Sequence, residues 1–147
     1  MKLITIGTFD ILHFGHIAFL RACQQLSGGD LMTVGLNTDR FVTEYKGRPP
    51  VMDYAEREHA LAQLRYNVVP NDGPGRALVE AERAGMPMIL AIGSDWSMRN
   101  YLAQIDVDQH WLDERRITVA YIPYTLGPPI STSEIRRRVL ERAGEIW

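Results

Sequence analysis

The sequence predicts an α/β fold, in which a five-stranded parallel sheet carries helices on both of its faces. Short apolar runs of the kind found in buried strands alternate with longer segments of helical periodicity along the whole chain. Such alternation builds a parallel sheet, because each crossover between two strands needs a helix that packs back onto the sheet. The length of 147 residues fits a single domain that spans residues 1–147.

Each element follows from a local pattern. Apolar runs bounded by turn residues predict strands at 2–7, 31–36, 67–69, 88–92 and 117–122. Helical periodicity predicts helices at 13–26, 53–65 and 76–84, over most of 97–115, and from Ser131 onward, with a short helix or an ordered turn at 38–45. Asp53 has Glu56 three residues further on, which is the spacing of a capping box. Pro49 and Pro50 oppose a helix and predict a loop before it. The order is that of a doubly wound, Rossmann-like sheet.

Composition and charge exclude several classes of protein. The formal net charge is -2, which argues against broad binding to nucleic acid or to acidic membrane surfaces. No apolar run reaches the roughly 18 residues that a membrane-spanning helix needs. The one cysteine, Cys23, excludes an intramolecular disulfide, and the N-terminal residues do not resemble a signal peptide. We therefore expect a cytoplasmic protein that binds small molecules.

A ligand is expected in the loops that follow the carboxyl ends of the predicted strands. In open α/β sheets, ligands bind beyond these ends, near the point where the strand order reverses. The loops concerned begin at Gly7, Asn37, Gly93 and Pro123.

The first of these loops contains two histidines. His13 and His16 are three residues apart, so both project from one side of a first helical turn. Gly7 permits a tight turn, and Gly15 lets a ligand approach the backbone. Because a helix N-terminus already favours anions, two imidazole donors there suit a triphosphate. From the residues alone, phosphate binding and plain helix capping are equally good interpretations of the two histidines. A zinc site is disfavoured because no matching ligands accompany the pair.

Four motifs, taken in order, resemble those of one enzyme family. Residues 7–16, Gly-Thr-Phe-Asp-Ile-Leu-His-Phe-Gly-His, resemble the cytidylyltransferase signature G-T-F-D-x-x-H-x-G-H. Residues 130–133, Ile-Ser-Thr-Ser, resemble its second signature, I-S-T-T. Residues 93–96, Gly-Ser-Asp-Trp, and the pair Arg65-Tyr66 resemble the G-D-D-W and R-Y-V-D segments of glycerol-3-phosphate cytidylyltransferases.

This resemblance implies an activity. In the family an acceptor phosphate attacks the α-phosphorus of CTP and releases pyrophosphate, a reaction that needs positioning and charge stabilisation more than a strong base. It implies glycerol-3-phosphate as acceptor, CDP-glycerol as product, Mg²⁺ bound with the nucleotide, and a homodimer. Three alternatives stay open: another acceptor such as phosphocholine, phosphoethanolamine or a sugar phosphate; an adenylyltransferase that uses ATP; and a nucleotide-binding module without catalysis.

The resemblance also assigns roles to individual residues. The catalytic residues are expected to be His13, His16, Lys46 and Thr132. The nucleotide is expected to contact Thr8, Phe9, Asp10, Phe14, Gly15, Arg65, Gly93, Asp95, Trp96, Tyr124, Thr125, Ile130 and Ser131. The acceptor is expected to contact Lys46, Arg48, Arg57 and Arg76. Simpler roles remain alternatives: an N-cap for Ser131 and Thr132, and a core position for Trp96. Arg57 and Arg65 lie eight apart on a predicted helix, where a solvated charged face is the usual explanation.

The sequence departs from the family pattern in several places, of which two bear on ligand binding or on an interface. Tyr124 stands where an arginine is expected, which replaces a bidentate phosphate ligand by one hydroxyl. Arg136 or Arg137 is a candidate substitute, and Tyr124→Arg is expected to tighten CTP binding. Residues 97–116 form a longer insert than the shortest members have, with Tyr101, Leu102, Trp111 and Leu112 available to cover the site or build an interface.

Overall fold

The chain forms a five-stranded sheet in which all neighbouring strands run parallel. The computed structural model describes residues 2–30, 32–84, 88–93, 100–123 and 130–145. The strands are Lys2–Gly7 (β1), Met32–Asn37 (β2), Asn67–Asn71 (β3), Met88–Gly93 (β4) and Ile117–Ile122 (β5), in the spatial order β3-β2-β1-β4-β5. The helices are Phe14–Leu26 (α1), Asp39–Lys46 (α2), Tyr54–Gln63 (α3), Arg76–Glu82 (α4), Tyr101–Gln104 (α5), Gln109–Glu114 (α6) and Thr132–Glu141 (α7). The predicted fold class is confirmed.

The helices begin where side chains can cap them. Thr38, Asp53 and Ser131 each accept a hydrogen bond from a backbone N–H in the first turn of α2, α3 and α7. The capping box between Asp53 and Glu56 is confirmed.

Some predicted bounds change for local reasons. Helix α3 ends at Gln63, earlier than predicted, and Arg65 beyond it adopts a left-handed conformation with φ 65°. The predicted helix over 97–115 is two short helices in its described part, because Asp106 is also left-handed, at φ 58°, and Asp108 caps a new helix. Asn71, predicted in a turn, ends β3 and lies opposite Asn37.

Helices cover both faces of the sheet. Leu3 and Ile4 are consecutive in β1 and point to opposite faces, so each begins a separate core. Leu20 of α1 and Leu61 of α3 pack on the Leu3 side, while Leu78 of α4 packs with α5 and α6 on the Ile4 side. None of the described helices has both the length and the apolar character needed to cross a bilayer.

The strand order opens a crevice beside β1. The chain first adds β2 and β3 on one side of β1 and then returns to add β4 and β5 on the other. The loops that leave β1 and β4 therefore diverge, and the edge between them is the usual place for a ligand in this class of sheet.

Candidate functional site

A cleft of about 310 Å³ lies at the carboxyl ends of β1 and β4. Its wall includes the end of β1 and the loop after it, the end of β4, the segment after α2 and the start of α7. Of the predicted site residues, those that line it are Thr8, Phe9, Asp10, Gly15, His16, Lys46, Arg48, Gly93 and Thr132. The motifs that stand far apart in the sequence therefore meet in one place, as the predicted sheet edge requires.

The loop after β1 is shaped by two unusual backbone conformations. Phe9 and Ile11 have φ values of 49° and 50°, in the left-handed region that side chains other than glycine rarely adopt. They flank Asp10, whose side chain is 4% exposed. Strain of this kind persists only where the surroundings determine the conformation, and here it turns the Asp10 carboxylate towards the protein.

Asp10 ties three segments together. Its carboxylate accepts hydrogen bonds from the backbone N–H of Val51 at 2.8 Å and of Met52 at 2.9 Å, and it pairs with Arg136 Nη2 at 2.5 Å. Its carbonyl oxygen accepts a hydrogen bond from Thr132 Oγ1 at 2.7 Å. Asp10 lines the cleft as predicted, but both of its carboxylate oxygens are engaged by the chain.

The two histidines form a stacked pair at the start of α1. Their ring centroids are 3.8 Å apart at an interplanar angle of 23°. His13 Nδ1 accepts a hydrogen bond from the Gly15 N–H at 3.1 Å, and His16 Nδ1 accepts one from the His13 N–H at 3.3 Å. An Nδ1 that accepts carries no hydrogen, so the hydrogen-bond pattern assigns the Nε2–H tautomer to both neutral rings. Each ring is left with its Nε2–H as a donor, and His13 Nε2 is buried with no partner among the described residues. His16 lines the cleft, whereas His13 lies behind it as the ring stacked on His16 and is not among the lining residues.

Both histidines are held neutral. Burial lowers the pKa of His16 to about 4, helped by the neighbouring His13 and opposed by Asp10. Burial also lowers the pKa of His13. At neutral pH the pair therefore offers N–H donors without positive charge.

Gly15 leaves the space in which the His13 ring and Ile130 pack. A Cβ at this position would lie 3.0 Å from His13 Cε1 and Nδ1 and 3.1 Å from Ile130 Cγ2. Of the other predicted nucleotide contacts near this point, Ile130 packs against Gly15, Ser131 caps α7, and Phe14 is exposed on α1. These three residues do not line the cleft.

The part of the cleft wall that follows α2 is basic. Lys46 ends α2, and Gly47 follows it in a left-handed conformation at φ 76°, which turns the chain sharply. Lys46 and Arg48 are both exposed and line the cleft. The Lys46 Nζ lies 5.6 Å from the centroid of the Tyr45 ring.

Buried amides organise the end of the sheet next to the cleft. Asn37 Nδ2 donates to Thr8 Oγ1 at 3.1 Å, and Asn37 Oδ1 accepts from Asn71 Nδ2 at 2.8 Å. Asn71 Oδ1 in turn accepts from the Ala77 N–H at 2.9 Å, and Thr8 Oγ1 lies 3.3 Å from the Tyr45 hydroxyl. This chain of hydrogen bonds fixes the ends of β1, β2 and β3 relative to one another.

Three arginines predicted to bind ligands are placed elsewhere. Arg57 is 1% exposed, and all three nitrogens of its guanidinium donate hydrogen bonds within the protein. The prediction that it contacts the acceptor is therefore wrong. Arg65 follows α3, just before β3 begins, and lies in a separate surface depression at the amino ends of β2 and β3. The predicted nucleotide contact at Arg65 is therefore wrong for this cleft, and the two arginines do not share an exposed face. Arg76 is exposed, pairs with Glu80 at 3.3 Å and does not line the cleft.

Four predicted nucleotide contacts lie outside the described residues: Asp95, Trp96, Tyr124 and Thr125. The predictions for them, and for Tyr124→Arg, stay predictions.

Sequence reasoning missed several residues of the cleft. Tyr45 and Gln104 line it and were not predicted. Tyr101 of the insert, predicted to cover the site or to build an interface, lines the cleft too. Arg136, predicted with Arg137 as a candidate substitute for the missing arginine, also lines it. Leu112 is fully buried in the core instead, and Trp111 packs against that core. The spacing of Arg136 four residues after Thr132, one helical turn, was the available signal for its place beside the second motif.

The described residues contain no group of three or more His, Cys, Asp or Glu side chains suited to holding a metal ion. His59 lies 3.5 Å from Gln63, and His110 pairs with Glu114 at 3.2 Å, both on exposed helix surfaces.

The fold and the cleft together define a Rossmann-like α/β protein with a polar cleft at the topological switch point. Residues 4–138 match the model of the family described as cytidylyltransferase-like. The chain belongs to this cytidylyltransferase-like family, within the nucleotidyltransferase superfamily.

Relatives with different printed activities are similar to this chain. Glycerol-3-phosphate cytidylyltransferase of Staphylococcus aureus (strain NCTC 8325 / PS 47) is 35% identical over 97 residues, 65% of this chain and 70% of that protein. FAD synthase of Pyrococcus abyssi (strain GE5 / Orsay) is 31% identical over 150 residues, 96% of this chain and 93% of that protein. The bifunctional protein HldE of Trichlorobacter lovleyi is 34% identical over 142 residues, and the chain spans only 26% of its length.

Solved structures agree on the fold. The lipopolysaccharide core biosynthesis protein from Thermoplasma volcanium GSS1 superposes with a TM-score of 0.62 at 22% identity, over 87% of this chain and 98% of that one. TmcAL of Thermotoga maritima, bound with alpha-thio ATP, superposes with a TM-score of 0.63 at 15% identity, over 97% of this chain and 51% of that one.

Proposed function

We propose that this protein transfers CMP from CTP to a small phosphorylated acceptor, with glycerol-3-phosphate as the acceptor and CDP-glycerol and pyrophosphate as the products. The observation that carries the proposal is the buried, unpartnered Nε2–H of His13, stacked on His16 at the start of α1. A buried donor without a partner is costly unless a ligand supplies the acceptor. Its position at a helix N-terminus fits a phosphate oxygen.

The proposed reaction needs no base from the protein. An oxygen of the acceptor phosphate attacks the α-phosphorus of CTP and forms a new P–O bond. The bond between the α-phosphorus and its bridging oxygen breaks, and pyrophosphate leaves with that electron pair. The neutral Nε2–H donors of His13 and His16 stabilise the negative charge on the phosphate oxygens in the transition state. Their fixed tautomers mean that no reorganisation is needed when the reaction occurs.

The leaving pyrophosphate is assigned to the start of α7. Thr132, Ser133 and Arg136 all line the cleft there. Arg136 pairs with Asp10, and a guanidinium has five N–H donors, so it can bond to a phosphate oxygen and keep this partner. This placement supports Arg136 as the substitute for the arginine expected at position 124.

The acceptor phosphate is assigned to Lys46 and Arg48. Both are exposed cations on the wall formed by the segment after α2. Mg²⁺ would accompany the triphosphate as its counter-ion. Because the Asp10 oxygens are engaged and the described residues hold no metal-binding cluster, this part of the chain offers the cation no cage of its own. A homodimer is also part of the proposal, from the family resemblance, and light scattering after size exclusion measures it.

Adenylyl transfer from ATP is the second candidate. It is favoured by the similarity to an FAD synthase, which extends over 96% of this chain, whereas the similarity to the cytidylyltransferase extends over 65%. The histidine pair serves either nucleotide equally, since it contacts only phosphates in the proposed mechanism.

Pyrophosphate release with Mg²⁺ tests both candidates. CTP and ATP are each combined with glycerol-3-phosphate, phosphocholine, phosphoethanolamine, a sugar phosphate and FMN. Release with CTP and glycerol-3-phosphate alone is the expected result. Release with ATP and FMN alone would replace the proposal by the second candidate. His16→Ala is expected to abolish most turnover and to leave the fold intact, with Arg65→Ala as the matched control away from the cleft. Near-normal rates in His16→Ala would remove the histidine pair from the mechanism.

A further inference from the structure

Arg57 is a buried charge placed where several segments of the site converge. It is one of the largest side chains that the described protein buries completely, at 1% exposure. Taking a guanidinium out of water is expensive unless its N–H groups are all well bonded. A residue with this cost suggests a role that a leucine could not fill.

The guanidinium joins four points of the chain. Its Nε donates to the carbonyl of Met52 at 2.9 Å, and its Nη1 donates to the carbonyls of Thr8 at 2.8 Å and Asn37 at 2.9 Å. Its Nη2 pairs with Asp39 Oδ1 at 2.6 Å. One planar group therefore bonds to the loop after β1, the end of β2, the start of α2 and the segment before α3.

The segment before α3 is held from its other side by Asp10. The Met52 N–H donates to Asp10 while the Met52 carbonyl accepts from Arg57, so both backbone groups of one residue are bound by opposite buried charges. The Val51 N–H donates to Asp10 as well. Asp39, the partner of Arg57, also accepts from the Tyr54 N–H at 3.1 Å, which extends the connection into α3.

This segment continues from the basic wall of the cleft. Residues 46–50 line the cleft with Lys46, Arg48, Pro49 and Pro50, and residues 51 and 52 anchor them. The loop after β1, on the other side of Arg57, leads to His13 and His16. The guanidinium therefore bonds to both segments that lead to the two proposed substrate sites.

We propose that Arg57 is a positioning residue that holds the acceptor-binding segment 46–52 at a fixed distance from the nucleotide loop. It acts through Met52 and Thr8 and touches neither substrate, because its side chain is fully enclosed. This inference rests on the proposed function for its catalytic consequence, but its structural content is independent of the reaction. The sequence predicted that Arg57 contacts the acceptor; in the structure-based proposal it instead holds the segment that contacts the acceptor.

The test is Arg57→Lys, which replaces the planar guanidinium by an ammonium group and keeps the positive charge. An ammonium group has three donors from one point and cannot bond to four acceptors in a plane, so Arg57→Lys is expected to loosen the segment. Amide hydrogen exchange at Val51 and Met52 is expected to become at least about tenfold faster, while that of Leu90 in β4 is unchanged. With CTP and glycerol-3-phosphate, the KM for the acceptor is expected to rise about tenfold and the KM for CTP to stay within about twofold.

Two further variants separate positioning from simple loss of fold. Asp39→Asn keeps Arg57 in place and weakens one of its four anchors, so it is expected to give the same pattern with smaller changes; it replaces Arg57→Lys if that variant does not fold. Arg65→Lys makes the same chemical change away from the cleft and is expected to alter neither amide exchange nor either KM.

The outcomes are distinct. Unchanged exchange at Val51 and Met52 would overturn the inference, as would equal changes in both KM values or a fall in kcat alone. If the wild-type protein does not turn over these two substrates, the proposed function fails, and the exchange measurement still decides whether Arg57 holds the segment.

Discussion

Gly15→Ala adds one methyl group to the most crowded point of the histidine pair. The new Cβ would lie 3.0 Å from two atoms of the His13 ring and 3.1 Å from Ile130 Cγ2, whereas carbon atoms in contact prefer about 3.5–4.0 Å. The ring and the isoleucine must therefore move by roughly half an ångström. The hydrogen bond from the Gly15 N–H to His13 Nδ1, now 3.1 Å, is the contact that this movement stretches.

The stability cost of Gly15→Ala is expected to be small. Overpacking costs about 1–3 kcal/mol, and replacing glycine by alanine inside a helix returns up to about 1 kcal/mol. We expect a loss of about 1 kcal/mol in the free energy of unfolding. Activity is more sensitive, because a displacement of about 1 Å in a catalytic group can cost 10²-fold in rate. A decrease in kcat of about tenfold or more is therefore expected.

The assay combines urea unfolding with pyrophosphate release from CTP and glycerol-3-phosphate. Gln24→Ala, on the exposed surface of the same helix, is the control for helix propensity and is expected to retain full activity. A Gly15→Ala enzyme with kcat within twofold of wild type would refute the reasoning, because it would mean that the position of the His13 ring does not limit turnover. A loss of activity with urea midpoint and slope unchanged would still support it.

Three further predictions concern the same cleft. The pKa of His16 is about 4 in the folded protein and 6.5 when unperturbed, so the unfolded state gains a proton first as the pH falls. The free energy of unfolding is therefore expected to be unaffected above pH 6.5 and to decline by up to about 3 kcal/mol towards pH 4. Urea titrations of the wild type and of His16→Gln check whether the variant lacks this decline. Thr132→Val removes the hydroxyl of a residue that lines the cleft, and with it the hydrogen bond to the Asp10 carbonyl, so a loss of about 1 kcal/mol in the free energy of unfolding and a lower kcat are expected. An unchanged kcat in steady-state assays would contradict the role of Thr132. Lys46→Ala is expected to raise the KM for the acceptor about tenfold with little effect on the CTP KM, and equal changes in both would reassign this lysine to the nucleotide.

Much of the fold could be predicted from the sequence because its signals are local. Apolar runs located the five strands, and the alternation with helices implied that they are parallel. The capping box of Asp53 and Glu56 depends on residues three apart, and so does the meeting of His13 and His16 at one helix start. These two local predictions matched the structure, whereas periodicity alone missed the left-handed residues Arg65 and Asp106, which lie where predicted helices end or break.

The prediction for Arg57 was wrong because the position of this side chain depends on contacts between residues distant in the chain. Arg57 has the sequence setting of a surface charge, and its burial is decided by the carbonyls of Thr8 and Asn37, which are 49 and 20 positions away. The Asn37–Asn71 hydrogen bond spans 34 positions. Arg65 matched a family motif, but a motif match does not say which edge of the sheet a residue occupies.

The neutral histidine pair has a consequence for how the two ends of the cleft respond to dissolved salt. In the proposed mechanism His13 and His16 bind phosphate through uncharged N–H donors, and Arg136 is already paired with Asp10, so the electrostatic potential at that end of the cleft is weak. Lys46 and Arg48 are exposed cations whose attraction for a phosphate is screened within about 8 Å at physiological ionic strength. Raising the salt concentration should therefore weaken binding of the acceptor more than binding of the nucleotide. The histidine pair acts by short-range hydrogen bonds, whereas Lys46 and Arg48 act by a longer-range attraction that salt screens.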